Sequence, residues 1–186
     1  MIKFILVPST DGAVVACEAG LDVARLFGAH VECLRIHPDP VELAVRAANA
    51  DAGTGIMAAN LWKALEDEDR AQSVAAKAAF DALCARERLV RADLPSATAG
   101  VTVSWRERTG DEYDELNDCG RMSDLIVVDG RQTSGRAPSA LGALLVGCGR
   151  PVLLAAGERI AAPKTVVVAW KNTRESAHAL PAAGIR

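Results

Sequence analysis

Short apolar runs alternate with segments of helical periodicity over residues 1–156 of the chain. Two of the runs, 125–128 and 151–155, contain β-branched residues and show no polar alternation, which is typical of strands covered on both faces. The other predicted strands are 3–8, 30–37 and 101–107. The predicted helices are 13–28, 56–90, 113–121 and a short one before residue 151. This order of elements, β-α-β-α-β-α-β-α-β, predicts an α/β fold with a parallel sheet.

A second strand–turn–helix pattern begins near the end of the chain. Residues 164–171, KTVVVAWK, form another apolar run, and residues 172–180 are predicted to be a turn that opens into a helix. This repeats the plan of the first strand and helix. We therefore expect one complete domain at 1–156, a linker at 157–163, and the truncated start of a second domain at 164–186.

Composition and charge narrow the classes of function. Half of the 186 residues are hydrophobic, and the net charge of −3 argues against a nucleic-acid surface, which needs a basic patch. No apolar run has the length of a membrane span, and the first residues show no signal-peptide pattern. The five cysteines have neither zinc nor dithiol spacing. We expect buried thiols in a cytoplasmic protein.

Several segments together resemble the universal stress protein family. They are FILVP in the first strand, LFGAHVECLRIHPDP across the second, SDLIVVDG at the fourth and GRPVLLA at the fifth, while AWKNTRE resembles the second half of tandem members. The resemblance implies a Rossmann-like fold with a five-stranded parallel sheet in the order 3-2-1-4-5 and helices on both faces. It also implies a homodimer through the fifth strand, from Pro151 to Ala155, and a regulatory or protective role in the stress response without a defined reaction.

Many members of this family bind ATP, so the resemblance points to two candidate segments. The family has an aspartate after the first strand, near adenine and ribose; here Asp11 lies one residue later, and Thr10 takes the usual position. The family's phosphate loop follows the pattern Gly-x-x-Gly-x9-Gly-Ser/Thr. Gly130 matches the first glycine and is followed by Arg131, and Ser139 matches the last position only when it is counted back from the fifth strand.

The phosphate loop departs from the family pattern. Thr133 stands at the second glycine and Pro138 at the third, and the loop is shorter than the pattern requires. A phosphate cradle needs converging backbone N–H groups, which proline lacks. We therefore expect a degraded site without tight ATP binding. Ser139 is then either an ordinary helix N-cap or, with Arg131 and Arg136 nearby, part of a site for a small anion.

A rival function from another class is electron transfer with FMN. The turn at 9–12 is similar to the phosphate loop of flavodoxins, and Trp105 after the third strand could flank a flavin ring.

Catalysis is not expected, since there is no Gly-x-Ser-x-Gly elbow and no histidine evidently placed to activate Ser9. His30 and His37 form no metal pattern and are expected at the surface or at strand ends. The acidic run at 111–118 is predicted to be a solvated helix start.

Overall fold

The computed structural model describes residues 1–9, 14–41, 44–45, 56–95, 100–133, 141–142, 144–157, 165, 167, 169 and 171–173. Six strands lie within these ranges: β1 (Phe4–Pro8), β2 (His30–His37), β3 (Val90–Arg91), β4 (Thr102–Thr109), β5 (Leu125–Asp129) and β6 (Val152–Ala155). They form one sheet in the order β3-β4-β2-β1-β5-β6, and every pairing is parallel.

Among the described residues, three α-helices can be given bounds: α1 (Val14–Phe27), α2 (Ile56–Glu87) and α3 (Glu112–Arg121). A 3₁₀ turn (Gly130–Thr133) follows β5, and a π-helical segment (Leu144–Cys148) precedes β6. Gly28 ends α1 with a φ of 61°, in the left-handed region that glycine adopts without strain. Asp111 caps α3 by accepting a hydrogen bond from the Asp114 amide, so the acidic run is a helix start as predicted.

The predicted α/β class, the parallel sheet and the relative order of the five expected strands are confirmed. The expected number of strands was wrong, because β3 adds a sixth strand at the edge beside β4. The predicted helix at 56–90 ends three residues early at Glu87, where Arg88 takes a φ of 53°. The residues that follow the helix then run alongside β4, and the Ala92 amide donates to the Val103 carbonyl at 3.0 Å.

Two apolar layers enclose the sheet. Side chains of β1 alternate between them, so that Ile5 and Val7 pack with α1 and α2 on one face, while Leu6 packs with α3 and the π-helical segment on the other. Gly20 lets α1 lie close to the sheet, since an added Cβ would come within 3.0 Å of Val7 Cγ2. The sheet is therefore covered on both faces, as predicted.

The segment predicted as an extra strand at 164–171 is described at only four positions. None of the four is in a strand, and Val167 is 92% exposed. Of the helices that the structure describes, none combines the length and apolar character needed to cross a membrane.

Candidate functional site

The carboxyl edge of the sheet between β1 and β5 is the candidate binding region. After β1 the chain adds β2 and then β4 on one side of β1, whereas β5 and β6 lie on its other side, so the strand order reverses between β1 and β5. Ligands of open α/β sheets bind at such a reversal. The pairing of β1 with β5 ends at Leu6 and Ile126, although β1 continues to Pro8 and β5 to Asp129. The two strand ends therefore leave the segment after β1 and the segment after β5 at one edge.

The structure places only two of the five predicted site residues. Gly130 and Arg131 lie directly after β5, at the expected edge of the sheet. Thr10, Asp11 and Ser139 lie outside the described residues, and their proposed roles remain predictions.

Gly130 packs against the neighbouring strand. A Cβ added to this residue would come within 3.1 Å of the Ala155 carbonyl oxygen and 3.6 Å of Leu154 Cβ, both in β6. Contacts at 3.1 Å with backbone atoms are tighter than ordinary side-chain packing allows. The lack of a side chain at Gly130 is thus explained by the close approach of β6, without a bound phosphate.

Arg131 is held by the last residue of β5. Its guanidinium donates to both carboxylate oxygens of Asp129, at 3.1 and 2.8 Å, and its backbone amide donates to the same carboxylate at 3.0 Å. These bonds hold the pKa of Asp129 below its usual value, so the carboxylate is ionised at neutral pH. The start of the candidate phosphate loop therefore contains a buried negative charge already paired with the nearest arginine.

Sequence reasoning missed Asp129, since it ended the predicted strand one residue earlier. A signal was present: an acid at the end of an apolar run, two positions before an arginine, has its carboxylate within reach of that arginine's own backbone amide. In the structure the guanidinium of Arg131 is accordingly paired with the carboxylate of Asp129.

On the other side of β1, Ser9 is buried against β2. Its amide donates to the Leu34 carbonyl at 2.7 Å, and its own carbonyl accepts a long hydrogen bond of 3.4 Å from Arg35. Arg35 also donates to Asp69 at 2.6 Å and to Gln72 at 3.3 Å. Its side chain is 8% exposed, and its Nε atom has no hydrogen-bond partner among the described residues. A buried guanidinium thus lies beside Ser9, the last described residue before Thr10 and Asp11.

His37 joins this guanidinium through a shared acid. Its Nδ1 atom lies 2.7 Å from Asp69, which also binds Arg35, and its Nε2 atom lies 3.3 Å from Glu107 on β4. Partial burial acts to raise the pKa of Asp69, but the hydrogen bonds from His37 and Arg35 outweigh it and lower that pKa. The network ties β2, β4 and α2 together at the carboxyl edge.

The expectation that the two histidines lie at the surface or at strand ends is confirmed, since they are the first and last residues of β2. His37 is partly exposed. His30 meets the expectation by its position only, because it is 1% exposed. Its two ring nitrogens contact the hydroxyls of Thr102 and Ser104 at 2.8 and 2.9 Å, which makes burial tolerable. Burial lowers the pKa of His30 and favours the neutral ring.

Trp105 lies within β4, whereas the flavin hypothesis placed it after the strand. Its ring packs on Phe80 of α2 with centroids 5.4 Å apart, and its Nε1 donates to Glu107 at 2.7 Å. Both rings line a small crevice, whose other lining residues among those described are Ser9, Val14, Cys17, Ala76, Ala79 and Leu83. In the part of the chain that the structure describes, no group of His, Cys, Asp and Glu is arranged to hold a metal ion.

The sheet order and its helices define a Rossmann-like α/β domain. No protein-family model and no curated protein sequence matches the chain. Among solved structures, universal stress protein UspA from Lactobacillus plantarum is similar at a TM-score of 0.56 and 16% identity, covering 83% of this chain and 97% of its own. The particular fold is therefore that of the universal stress proteins.

Two further solved structures are similar in outline. A universal stress protein from Archaeoglobus fulgidus has a TM-score of 0.49 at 16% identity, over 83% of this chain and 93% of that one. A universal stress protein crystallised in complex with cAMP has a TM-score of 0.46 at 15% identity, over 84% and 98%.

Proposed function

We propose that this chain is a universal stress protein-like domain with a regulatory or protective role in the stress response. It acts through dimerisation and through binding of a small ligand or partner, without catalysing a reaction, and its ATP site is degraded. The fold supports the general role. The pairing of Asp129 with Arg131 is the observation that carries the degraded site.

Binding of a nucleotide phosphate after β5 would oppose the charge arrangement found there. Asp129 is 7% exposed and ionised, so it repels a phosphate placed at the loop. If the Arg131 guanidinium turned to the phosphate, the buried carboxylate would lose its charged partner and keep only the Arg131 amide, which is unfavourable. A loop that contains Pro138 also offers fewer backbone N–H donors to compensate.

Isothermal titration of the full chain with ATP and Mg²⁺ tests this proposal. We expect no micromolar affinity in the wild-type protein. Asp129→Asn removes the negative charge and releases Arg131, so it should bind ATP more tightly than the wild type. The matched control is Asp118→Asn, which removes an exposed acid paired with Arg121 at 2.9 Å. Micromolar binding by the wild-type protein would instead support the alternative of an ATP-binding universal stress protein.

A small anion near Arg131 and Ser139 stays an open ligand class, and native mass spectrometry of freshly purified protein would reveal a retained one. FMN is disfavoured, because Trp105 is packed on Phe80 and hydrogen-bonded to Glu107. Visible absorbance at flavin wavelengths would contradict this. We place the protein in the cytoplasm, since its five cysteines are free buried thiols, as in a reducing compartment.

The homodimer is proposed at β6. This strand is last in the sheet order and, within the described residues, pairs only with β5, so its outer backbone groups face away from the sheet. Leu154 in its centre is 50% exposed. Pairing of β6 with its copy about a two-fold axis would cover both features.

A further inference from the structure

Two cysteine side chains meet inside the larger apolar layer. Cys17 lies on α1 and Cys33 on β2, and their sulfur atoms are 3.0 Å apart. A disulfide bond is about 2.05 Å long, so the two sulfurs stand roughly 1 Å from bonding distance. Both residues are buried, with exposures of 5% and 1%. The pair is therefore held in place by the packing of α1 on the sheet.

One of the two cysteines, Cys17, borders a crevice. Cys17 lines the crevice that Ser9, Val14, Phe80 and Trp105 also border, and this crevice is partly open to solvent. Its walls are mainly apolar and its interior is narrow. A space this narrow admits at most a molecule close to water in size, and it excludes a bulky charged one. Cys33 lies behind Cys17 on the sheet.

We propose that Cys17 and Cys33 form an oxidation site at which hydrogen peroxide produces an internal disulfide. Peroxide first transfers one oxygen atom to the Cys17 sulfur, giving a sulfenic acid and one water. The Cys33 sulfur then attacks the oxidised sulfur, the S–O bond breaks, and the departing hydroxide takes the Cys33 proton as a second water. Two thiols are oxidised and one peroxide is reduced to two waters.

The order of the two steps follows from the surroundings of each sulfur. The hydrogen bond with Cys17, together with burial, raises the pKa of the Cys33 thiol well above its usual range, so Cys33 keeps its proton until its neighbour is oxidised. Cys17 is the residue on the crevice and is oxidised first. The reaction should be slower than that of an exposed low-pKa thiol.

Other cysteines make poorer partners. Cys84 of α2 belongs to the same apolar layer, but no hydrogen-bond contact joins its sulfur to either member of the pair. Cys119 and Cys148 lie in the layer on the opposite face of the sheet. The structure therefore favours one pairing among the five cysteines.

The bridge would link two elements that are 16 positions apart in the chain. Closing a loop of this length restricts the unfolded chain, and we expect the oxidised protein to melt about 6–12 °C higher than the reduced protein. Oxidation would also fix α1 to β2 beside the crevice. The oxidation state of the pair would thus set the rigidity of this part of the domain.

Peptide mapping of the full chain tests the proposal. The folded protein is treated with hydrogen peroxide, quenched, blocked with N-ethylmaleimide in denaturant, and digested with trypsin. Cleavage after Arg25 separates Cys17, in peptide 4–25, from Cys33, in peptide 26–35. We expect these two peptides to be joined, at a mass two hydrogens below their sum, and to separate after reduction.

Three results would overturn the proposal: no cross-link at a peroxide dose that modifies Cys17, a bridge from Cys17 to Cys84, or a bridge that forms only in denaturant. Cys33→Ala should abolish the cross-link and leave a Cys17 sulfenic acid, which dimedone traps when it is added in denaturant. Cys119→Ala is the control and should form the bridge like the wild type. The mapping of the wild-type protein decides the question even if a variant fails to fold.

Discussion

The Nδ1 atom of His37 lies 2.7 Å from a carboxylate oxygen of Asp69, and the same carboxylate binds Arg35 through its other oxygen. One acid from α2 therefore holds two basic side chains of the same strand, β2, whose residues two apart share a face. The arrangement fixes the position of α2 relative to the carboxyl edge of the sheet, where ligands of this architecture bind.

Asp69→Asn should destabilise the fold by about 2 kcal/mol at pH 7, because it leaves the buried guanidinium of Arg35 without its charged partner. The pKa of Asp69 is lowered in the folded state, so its contribution is complete above the unfolded value of about 4 and is lost as the pH falls below it. Urea unfolding at pH 7 and at pH 3.5 should thus show a difference between wild type and variant that shrinks in acid. Asp67→Asn, an exposed acid on the same helix, is the control; an equal loss in both variants would contradict the network.

His30→Gln should flatten the dependence of stability on pH between 7.5 and 5.5. Burial lowers the pKa of His30, so its neutral form supports the fold above the unfolded value of about 6.5 and this support is lost as the pH falls. The wild-type protein should lose up to about 1.4 kcal/mol per pH unit from this group, and the variant should not. Melting curves at the two pH values measure the difference. A ring proton signal that titrates near pH 6.5 by NMR and disappears in the variant would show that His30 is not held neutral.

Gly130→Ala should destabilise the domain by about 1–3 kcal/mol, since the new methyl group would press on the Ala155 carbonyl oxygen in β6. Gly142→Ala is the matched control, because an added Cβ there has no neighbour within 4 Å. It should leave stability unchanged or raise it slightly. Chemical denaturation of both variants supplies the comparison. Equal behaviour of the two would mean that β6 does not require a glycine at 130.

Leu154→Lys should convert the proposed dimer into a monomer, because it places a charge at the centre of the β6 edge. Light scattering coupled to gel filtration measures the mass directly. Val74→Lys, at an exposed apolar position of α2, controls for the added charge and should remain dimeric. A wild-type protein that stays monomeric at high concentration would remove the basis of this prediction.

Most strands and helices of this domain could be predicted because they are long enough for the spacing of their apolar residues to be recognised. β2 was predicted with its exact bounds, and α1 within one residue at each end. β3 could not be predicted, because its two residues, Val90 and Arg91, are too few to show alternation and form a strand only by pairing with β4.

The candidate site was less predictable, because its contacts join distant positions. His30 meets Thr102 across 72 positions, and His37 meets Asp69 across 32, so neither pairing follows from local pattern. Asp129 and Arg131 are the exception, since a contact between neighbours in sequence requires no knowledge of the fold. The loops that carry Thr10, Asp11 and Ser139 have no apolar period at all, which leaves family resemblance as their only guide.

Gly20 lies one helical turn beyond Cys17, at the point where α1 comes nearest to β1. A methyl group there would meet Val7 Cγ2 at 3.0 Å and Val31 Cγ1 at 3.6 Å, and the helix would have to rise from the sheet. Such a rise would draw the Cys17 sulfur away from Cys33 and widen the crevice beside it. If the pair is oxidised as proposed, the missing side chain at Gly20 would therefore help to keep the two sulfurs within reach of each other.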